Sequence, residues 1–171
     1  MHFRWIKDDT GAASDAATFA ELTTLLGIDN HEITVLDDDD SGAHHNLLVK
    51  VGSILRESHK KPGTSVLLLH YAGHGMEQHN GTLALPSSSG EDIDMDDVMQ
   101  NICSKRIIPL TADVNVVFIL DCCYSYLSTR SPNGNLRRVE VLCAGDRNDP
   151  VANGSIGAHS FTQKVFVEIR K

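Results

Sequence analysis

Val114-Asn115-Val116-Val117-Phe118-Ile119-Leu120-Asp121-Cys122-Cys123-Tyr124-Ser125 is the stretch whose reading decides the fold. Its apolar residues are broken only by Asn115 and are rich in β-branched side chains, which predicts a strand over Val114 to Leu120 buried on both faces, as at the centre of a parallel sheet. An acid and two thiols follow where the strand runs out, at the edge where open α/β sheets place their ligands. A second apolar run, Ser65 to Tyr71, leads into Ala72-Gly73-His74-Gly75, so a histidine between glycines leaves a neighbouring strand at that same edge. One strand end offers a thiol and the other an imidazole. A free thiol is only a few per cent thiolate near pH 7, and a nearby imidazole that accepts its proton makes it a nucleophile.

These two segments carry a resemblance. His70-Tyr71-Ala72-Gly73-His74-Gly75 matches the Tyr-Ser-Gly-His-Gly motif, and Asp121-Cys122-Cys123-Tyr124-Ser125 the Asp-Ser/Cys-Cys-His-Ser-Gly motif, of caspase-like cysteine peptidases. The chain resembles the metacaspase and orthocaspase side of that clan, particularly the fungal type. His74 and Cys123 also stand about 50 residues apart, close to the separation of histidine and cysteine in caspases. The implied fold is a three-layer α/β/α sandwich with a mostly parallel central sheet, the caspase-hemoglobinase fold. A single domain is expected over residues 1–171, cut from something larger and lacking the family's final strand.

The rest of the chain alternates strand and helix, the pattern of βαβ units. His2 to Ile6 reads as a short first strand and Glu32 to Leu36 as the next. Between them, Phe19, Leu22, Leu25 and Leu26 repeat at helical spacing, with Ser14 or Asp15 as the expected cap and Gly27 as the C′ residue. Asp37 to Asp40 reads as a solvated acidic loop before a helix over Ala43 to His59, with Ser41 as its cap. Asn80-Gly81 signals a hairpin. Asp94 to Cys103 reads as a helix, Thr129 to Arg137 as an exposed loop, Val139 to Ala144 as a last strand and Ser160 to Lys171 as a closing helix; Ala158 to Gln163 resembles the family segment before it.

Composition bounds the function classes. The 171 residues suit one domain; 41% hydrophobic and 22% charged is ordinary for a globular protein. A formal net charge of −8 and a pI near 5.5 argue against nucleic acid as a partner, and no apolar run reaches the roughly 20 residues of a membrane span. Four cysteines, two of them adjacent, fit free thiols in a reducing compartment, and the expected location is cytoplasmic. Oligomeric state has no signature here.

Neighbouring side chains on a strand point to opposite faces, so only one of Cys122 and Cys123 can share a cleft with His74. Geometry does not choose between them; the resemblance chooses Cys123. It further implies Cys123 as nucleophile, His74 as the proton donor to the leaving amine, and the amides of Gly75 and Cys123 as the oxyanion hole. Cys122 and Cys143 read as core residues and Cys103 as part of a helix face. Asp121 stands where caspases proper have glutamine, and Gly11-Ala12-Ala13-Ser14-Asp15 keeps the Gly and Asp of the metacaspase Gly-Cys-x-x-Asp motif. The resemblance therefore implies a pocket floored by Asp15 and Asp121 that holds Arg or Lys of a protein or peptide substrate before the scissile bond, with self-cleavage at Arg130, Arg137 or Arg138. Ala12 stands in place of a metacaspase cysteine, Ala72 of a serine, and Tyr124 and Tyr126 of a histidine and glycine. Alternatives are a catalytically silent scaffold of the same fold and a separase-like or CHAT-type protease.

No cofactor is expected. His70 and His74 are four apart with His79 beyond, but on a strand rather than a helix and without a following Glu, so no zinc site is predicted; His31, His44, His45, His59 and His159 read as surface or capping residues. The acidic segment that binds activating calcium in metacaspases would fall near Met76 to Gly81, which is short and carries one acid. Peptide cleavage is expected to proceed without calcium: rates in added calcium and in chelator should agree within about twofold, and a large difference would contradict this.

Overall fold

The computed structural model describes residues 1–28, 30–104, 107–109, 113–129, 139–149 and 160–171. In chain order the elements are β1 (His2–Trp5), α1 (Ala12–Leu25), β2 (Ile33–Leu36), α2 (Ala43–His59), β3 (Ser65–Ala72), β4 (Met76–Glu77) and β5 (Leu83–Leu85). There follow β6 (Ile93–Asp94), α3 (Met95–Cys103), β7 (Val114–Asp121), a 3-10 turn at Ser125–Thr129, β8 (Val139–Cys143) and α4 (Phe161–Ile169).

Among the described residues, five strands form one parallel sheet in the order β2-β1-β3-β7-β8, and β4-β5-β6 form a small antiparallel sheet. The stretch Val114 to Leu120 lies, as its composition predicts, inside the large sheet, between β3 and β8. Val116, Phe118 and Leu120 face one side with no exposed surface, and Ile119 the other. Phe118 and Leu120 pack in a large core with Leu47, Val51 and Leu55 of α2 and Val98 and Ile102 of α3. Ile119 packs with Phe19 and Leu22 of α1 and with Phe161, Val165 and Phe166 of α4. Helices thus cover both faces, giving the three-layer α/β/α sandwich, and each such fully buried side chain contributes about 1.5–3 kcal/mol.

Most element boundaries fall within two residues of the pattern reading, and the caps account for several differences. Gly11 rather than Ser14 or Asp15 occupies the N-cap of α1, and Gly42 rather than Ser41 that of α2; neither helix has a side-chain cap bond. Asp40 serves the second junction instead, accepting from the Gly42 amide at 2.8 Å and from Asn46 Nδ2 at 2.8 Å. Past α1, Gly27 N–H bonds Thr24 O and Ile28 N–H bonds Thr23 O, the Schellman pair expected of a C′ glycine. At α3, Asp94 is the N-cap and accepts from the amides of Asp96 and Asp97. His44 holds the same helix start, its Nε2 lying 2.8 Å from Asp97 Oδ2.

The acidic run is only partly a solvated loop. Asp38 is 2% exposed, and its two oxygens accept from the Lys7 amide at 3.0 Å and the Ser88 amide at 2.9 Å. One carboxylate thereby ties the loop after β1 to the segment before β6. Burial pushes this carboxyl up, but the hydrogen bonds from Ser88 and Lys7 and the Lys7 charge outweigh it and leave Asp38 below its ordinary value of 3.8. A carboxyl lowered in the folded state stabilises the fold above its unfolded value, and that contribution is lost as pH falls through the lower folded one. Asp38→Asn should therefore cost about 1–3 kcal/mol in urea unfolding near pH 7, with the difference from wild type shrinking as pH is taken from 5 toward 3. A penalty equal at both ends would contradict this.

Candidate active site

The parallel ladder of β3 and β7 runs from Ser65 opposite Val114 to Ala72 opposite Asp121. The Gly73 amide extends it with a bond of 3.3 Å to Asp121 O. His74 and Cys123 each lie two residues beyond the last pair, so the two segments leave the sheet side by side. They also touch: a Cβ on Gly75 would lie 2.3 Å from Cys123 O and 3.0 Å from Cys122 Sγ. Only a residue without a side chain lets the histidine loop sit this close to the cysteine turn. Gly73 is a second such point, with φ of 146° and only 2.6 Å and 2.7 Å between its would-be Cβ and Tyr71 Oη and Asp8 Oδ2. Tyr71, fully buried, donates its hydroxyl to His74 O at 2.8 Å and fixes the loop from beneath.

The adjacent cysteines differ as strand alternation requires. Cys122 is 1% exposed, and burial, with the charges of Asp121 and its neighbouring thiols, pushes it well above the ordinary thiol value, which keeps it protonated and inert. Cys123 is half-buried, at a turn where Tyr124 takes a left-handed backbone with φ of 56° before the 3-10 turn begins. Cys103 is buried on α3, and Cys143 is half-buried at the end of β8 rather than in the core.

The imidazole is oriented by a residue that the sequence does not single out for this task. His74 Nε2 lies 2.6 Å from Asp9 Oδ1, and this hydrogen bond, then the imidazole's charge, holds the Asp9 carboxyl below its ordinary value. Strand order reverses between β1 and β3, which is where doubly wound sheets open a crevice, and the loop after β1 supplies Asp9 there. An acid just past the carboxyl end of the first strand was the available signal.

Asp15 of α1 and Asp121 of β7 lie within electrostatic reach of one another. Asp15, 8% exposed, accepts from Ser160 Oγ at 2.6 Å. Asp121 Oδ2 accepts from both the Thr162 amide at 2.8 Å and the Thr162 hydroxyl at 2.7 Å. Burial, and then the charges of Asp121 and Asp8, push the Asp15 carboxyl up against the Ser160 bond. The two acids are thus brought together and held by the first turn of α4. Asp15 is no helix cap. Among the histidines, His70 is fully buried and bonded to His2 and Thr162, so it and His74 face different partners. Arg130, Arg137, Arg138 and His159 lie outside the described residues.

The caspase domain profile matches residues 1–163, nearly the whole chain. This chain belongs to the caspase domain family. It is therefore a member of a family of cysteine peptidases acting on proteins. Among solved structures it is similar to the crystal structure of caspase-1 from Spodoptera frugiperda, with a TM-score of 0.68 and 15% identity over 99% of this chain and 67% of that one. At that identity the likeness establishes the fold. No curated protein matches the chain.

The contact between the caspase domain's two strand-end motifs is tested at its tightest point. Gly75→Ala must push the histidine loop off the Cys123 carbonyl, which as overpacking costs about 1–3 kcal/mol. Thermal unfolding should show that loss, and alkylation of Cys123 followed by peptide mapping should slow by about tenfold or more. Unchanged melting and labelling would mean that the contact is not made.

Proposed function

We propose that the protein is a cysteine endopeptidase that hydrolyses peptide bonds after Arg or Lys through His74 and Cys123. What supports the reading is the register of β3 and β7, which brings the backbones at His74 and at the half-buried Cys123 out of the sheet side by side. His74 donates its Nε2 proton to the Asp9 carboxylate, which leaves Nδ1 as the nitrogen free to take a proton from the Cys123 thiol. The thiolate attacks the scissile carbonyl, His74 returns the proton to the leaving amine, and water then hydrolyses the thioester. Among the described residues neither the Gly75 nor the Cys123 amide bonds to another group, so both remain available to a developing oxyanion.

Specificity follows from the floor. Two carboxylates, Asp121 at a half-buried strand end and Asp15 on a buried helix turn, repel one another and lack a basic side chain as partner among the described residues, a balance that a visiting guanidinium or ammonium restores. The net charge of −8 favours approach of basic peptides in the same sense.

A peptidyl chloromethylketone ending in Arg should label Cys123, as located by mass spectrometry, and the label should fall by at least about a hundredfold in His74→Ala. The same reagent ending in Asp should react no faster than solvent-exposed thiols do. Labelling at another cysteine, or equal labelling in His74→Ala, would overturn the reading; no labelling of a folded wild type would favour a silent scaffold.

A further inference from the structure

The acids on the pocket floor are not isolated. Behind Asp121 runs a buried chain of side chains from three separate elements. His2 Nδ1 of β1 lies 2.8 Å from His70 Nδ1 of β3, and His70 Nε2 lies 2.8 Å from Thr162 Oγ1 of α4. Thr162 Oγ1 in turn lies 2.7 Å from Asp121 Oδ2 of β7. His2 and His70 have no exposed surface and Thr162 has 1%. Phe19 stacks on the His70 ring at 4.6 Å and closes the chain from α1.

The direction of this chain can be worked out from the donors available. A carboxylate only accepts, so the single hydroxyl proton of Thr162 points to Asp121. Thr162 Oγ1 must then accept from His70, which places a proton on His70 Nε2. Burial, followed by the positive charges nearby, pushes both histidines down, His2 to about 3, so each ring is neutral and carries one proton. His70 Nδ1 is therefore bare and accepts from His2 Nδ1–H. His2 Nε2 is left as a bare acceptor, and it is indeed a buried nitrogen with no partner. Each bond thereby fixes the next. Were His70 in the other tautomer, its bare Nε2 would draw the Thr162 proton to itself and present an oxygen lone pair to the carboxylate.

We infer that His70 and Thr162 are specificity-determining positioning residues, a one-way hydrogen-bonded chain His2→His70→Thr162→Asp121 that fixes Asp121 Oδ2 and leaves Oδ1 for the basic side chain of the substrate. Ser160 does the same for Asp15, whose Oδ1 it occupies. Among the described residues, Asp121 Oδ1 and Asp15 Oδ2 take no donor, so the floor presents one bound and one open oxygen from each acid. Two open oxygens from two carboxylates suit a planar guanidinium or an ammonium. This inference rests on the reading of Asp15 and Asp121 as the seat of Arg or Lys.

The test compares an Arg substrate with its citrulline isostere, which has the same shape and no charge. In Thr162→Val, the ratio of kcat/KM for Arg over citrulline should fall at least about tenfold, equivalent to ~1.4 kcal/mol, mostly through KM for Arg. Thr162→Ser restores the hydroxyl and should return the ratio to within about threefold of wild type. A purely structural role would lower cleavage of both substrates alike and leave the ratio unmoved, which would overturn the inference. Wild type that fails to distinguish Arg from citrulline would overturn the pocket reading with it, whereas wild-type discrimination that survives in Thr162→Val overturns the chain alone. Independently of any variant, long-range proton–nitrogen correlation spectra of ¹⁵N-labelled wild type should show His70 protonated at Nε2 and His2 at Nδ1 from pH 6 to 8. A bare Nε2 on His70 would overturn the inference.

Discussion

The register between β3 and β7 is the constraint on which the candidate site depends. In a parallel ladder the two chains advance together by about 3.3 Å per residue, so pairing Ala72 with Asp121 determines where everything beyond those residues emerges. A slip of one residue would turn Phe118 and Leu120 from the α2 and α3 side to the α1 and α4 side and would be resisted by the cores on both. The packing that stabilises the sheet is thus the same packing that sets the histidine loop against the cysteine turn. Gly75 completes the arrangement, since its missing side chain is what the Cys123 carbonyl occupies.

Strand order decides what else meets the histidine loop. Because the chain turns outward to β2 and returns on the other side of β1, the loop after β1 opens beside His74 rather than being covered by the next strand. Asp9 meets the imidazole from that loop, and Asp38, held by the Lys7 and Ser88 amides, anchors the loop from behind. Asp9 and His74 are exposed, so their bond adds orientation more than stability. The inner acids differ: Asp15 is buried and Asp121 half-buried, and without the Ser160 and Thr162 donors neither carboxylate would have a hydrogen-bond partner among the described residues. The first turn of α4 thereby holds both acids and ties the last helix to the end of β7.

Much of the architecture was legible in local pattern. The apolar runs at Ser65 and Val114 become neighbouring strands, the leucine and valine stripe of Ala43 to His59 becomes a helix with those bounds, and Gly27 ends α1 as expected. Capping was less legible, because Ser14, Asp15 and Ser41 carry cap-competent side chains that the backbone path does not use as caps. The acidic run shows the same gap: Asp37 to Asp40 are alike in sequence, yet Asp38 alone is drawn inside, by amides from segments 31 and 50 residues away.

By itself the sequence determined which residue types stand at the two strand ends and the alternation of strand and helix that carries them there, because hydrophobic periodicity and motif spacing are local properties. Only the tertiary structure decided that Asp9 faces the imidazole, that Ser160 and Thr162 are the donors to Asp15 and Asp121, and that His2, His70 and Thr162 form one buried line behind Asp121. Those contacts, the Ser160 bond to Asp15 included, join β1, β3, β7, α1 and α4 across as many as 145 residues. A hydrogen bond at such separation is set by how whole elements pack, and neither partner's sequence neighbourhood records it.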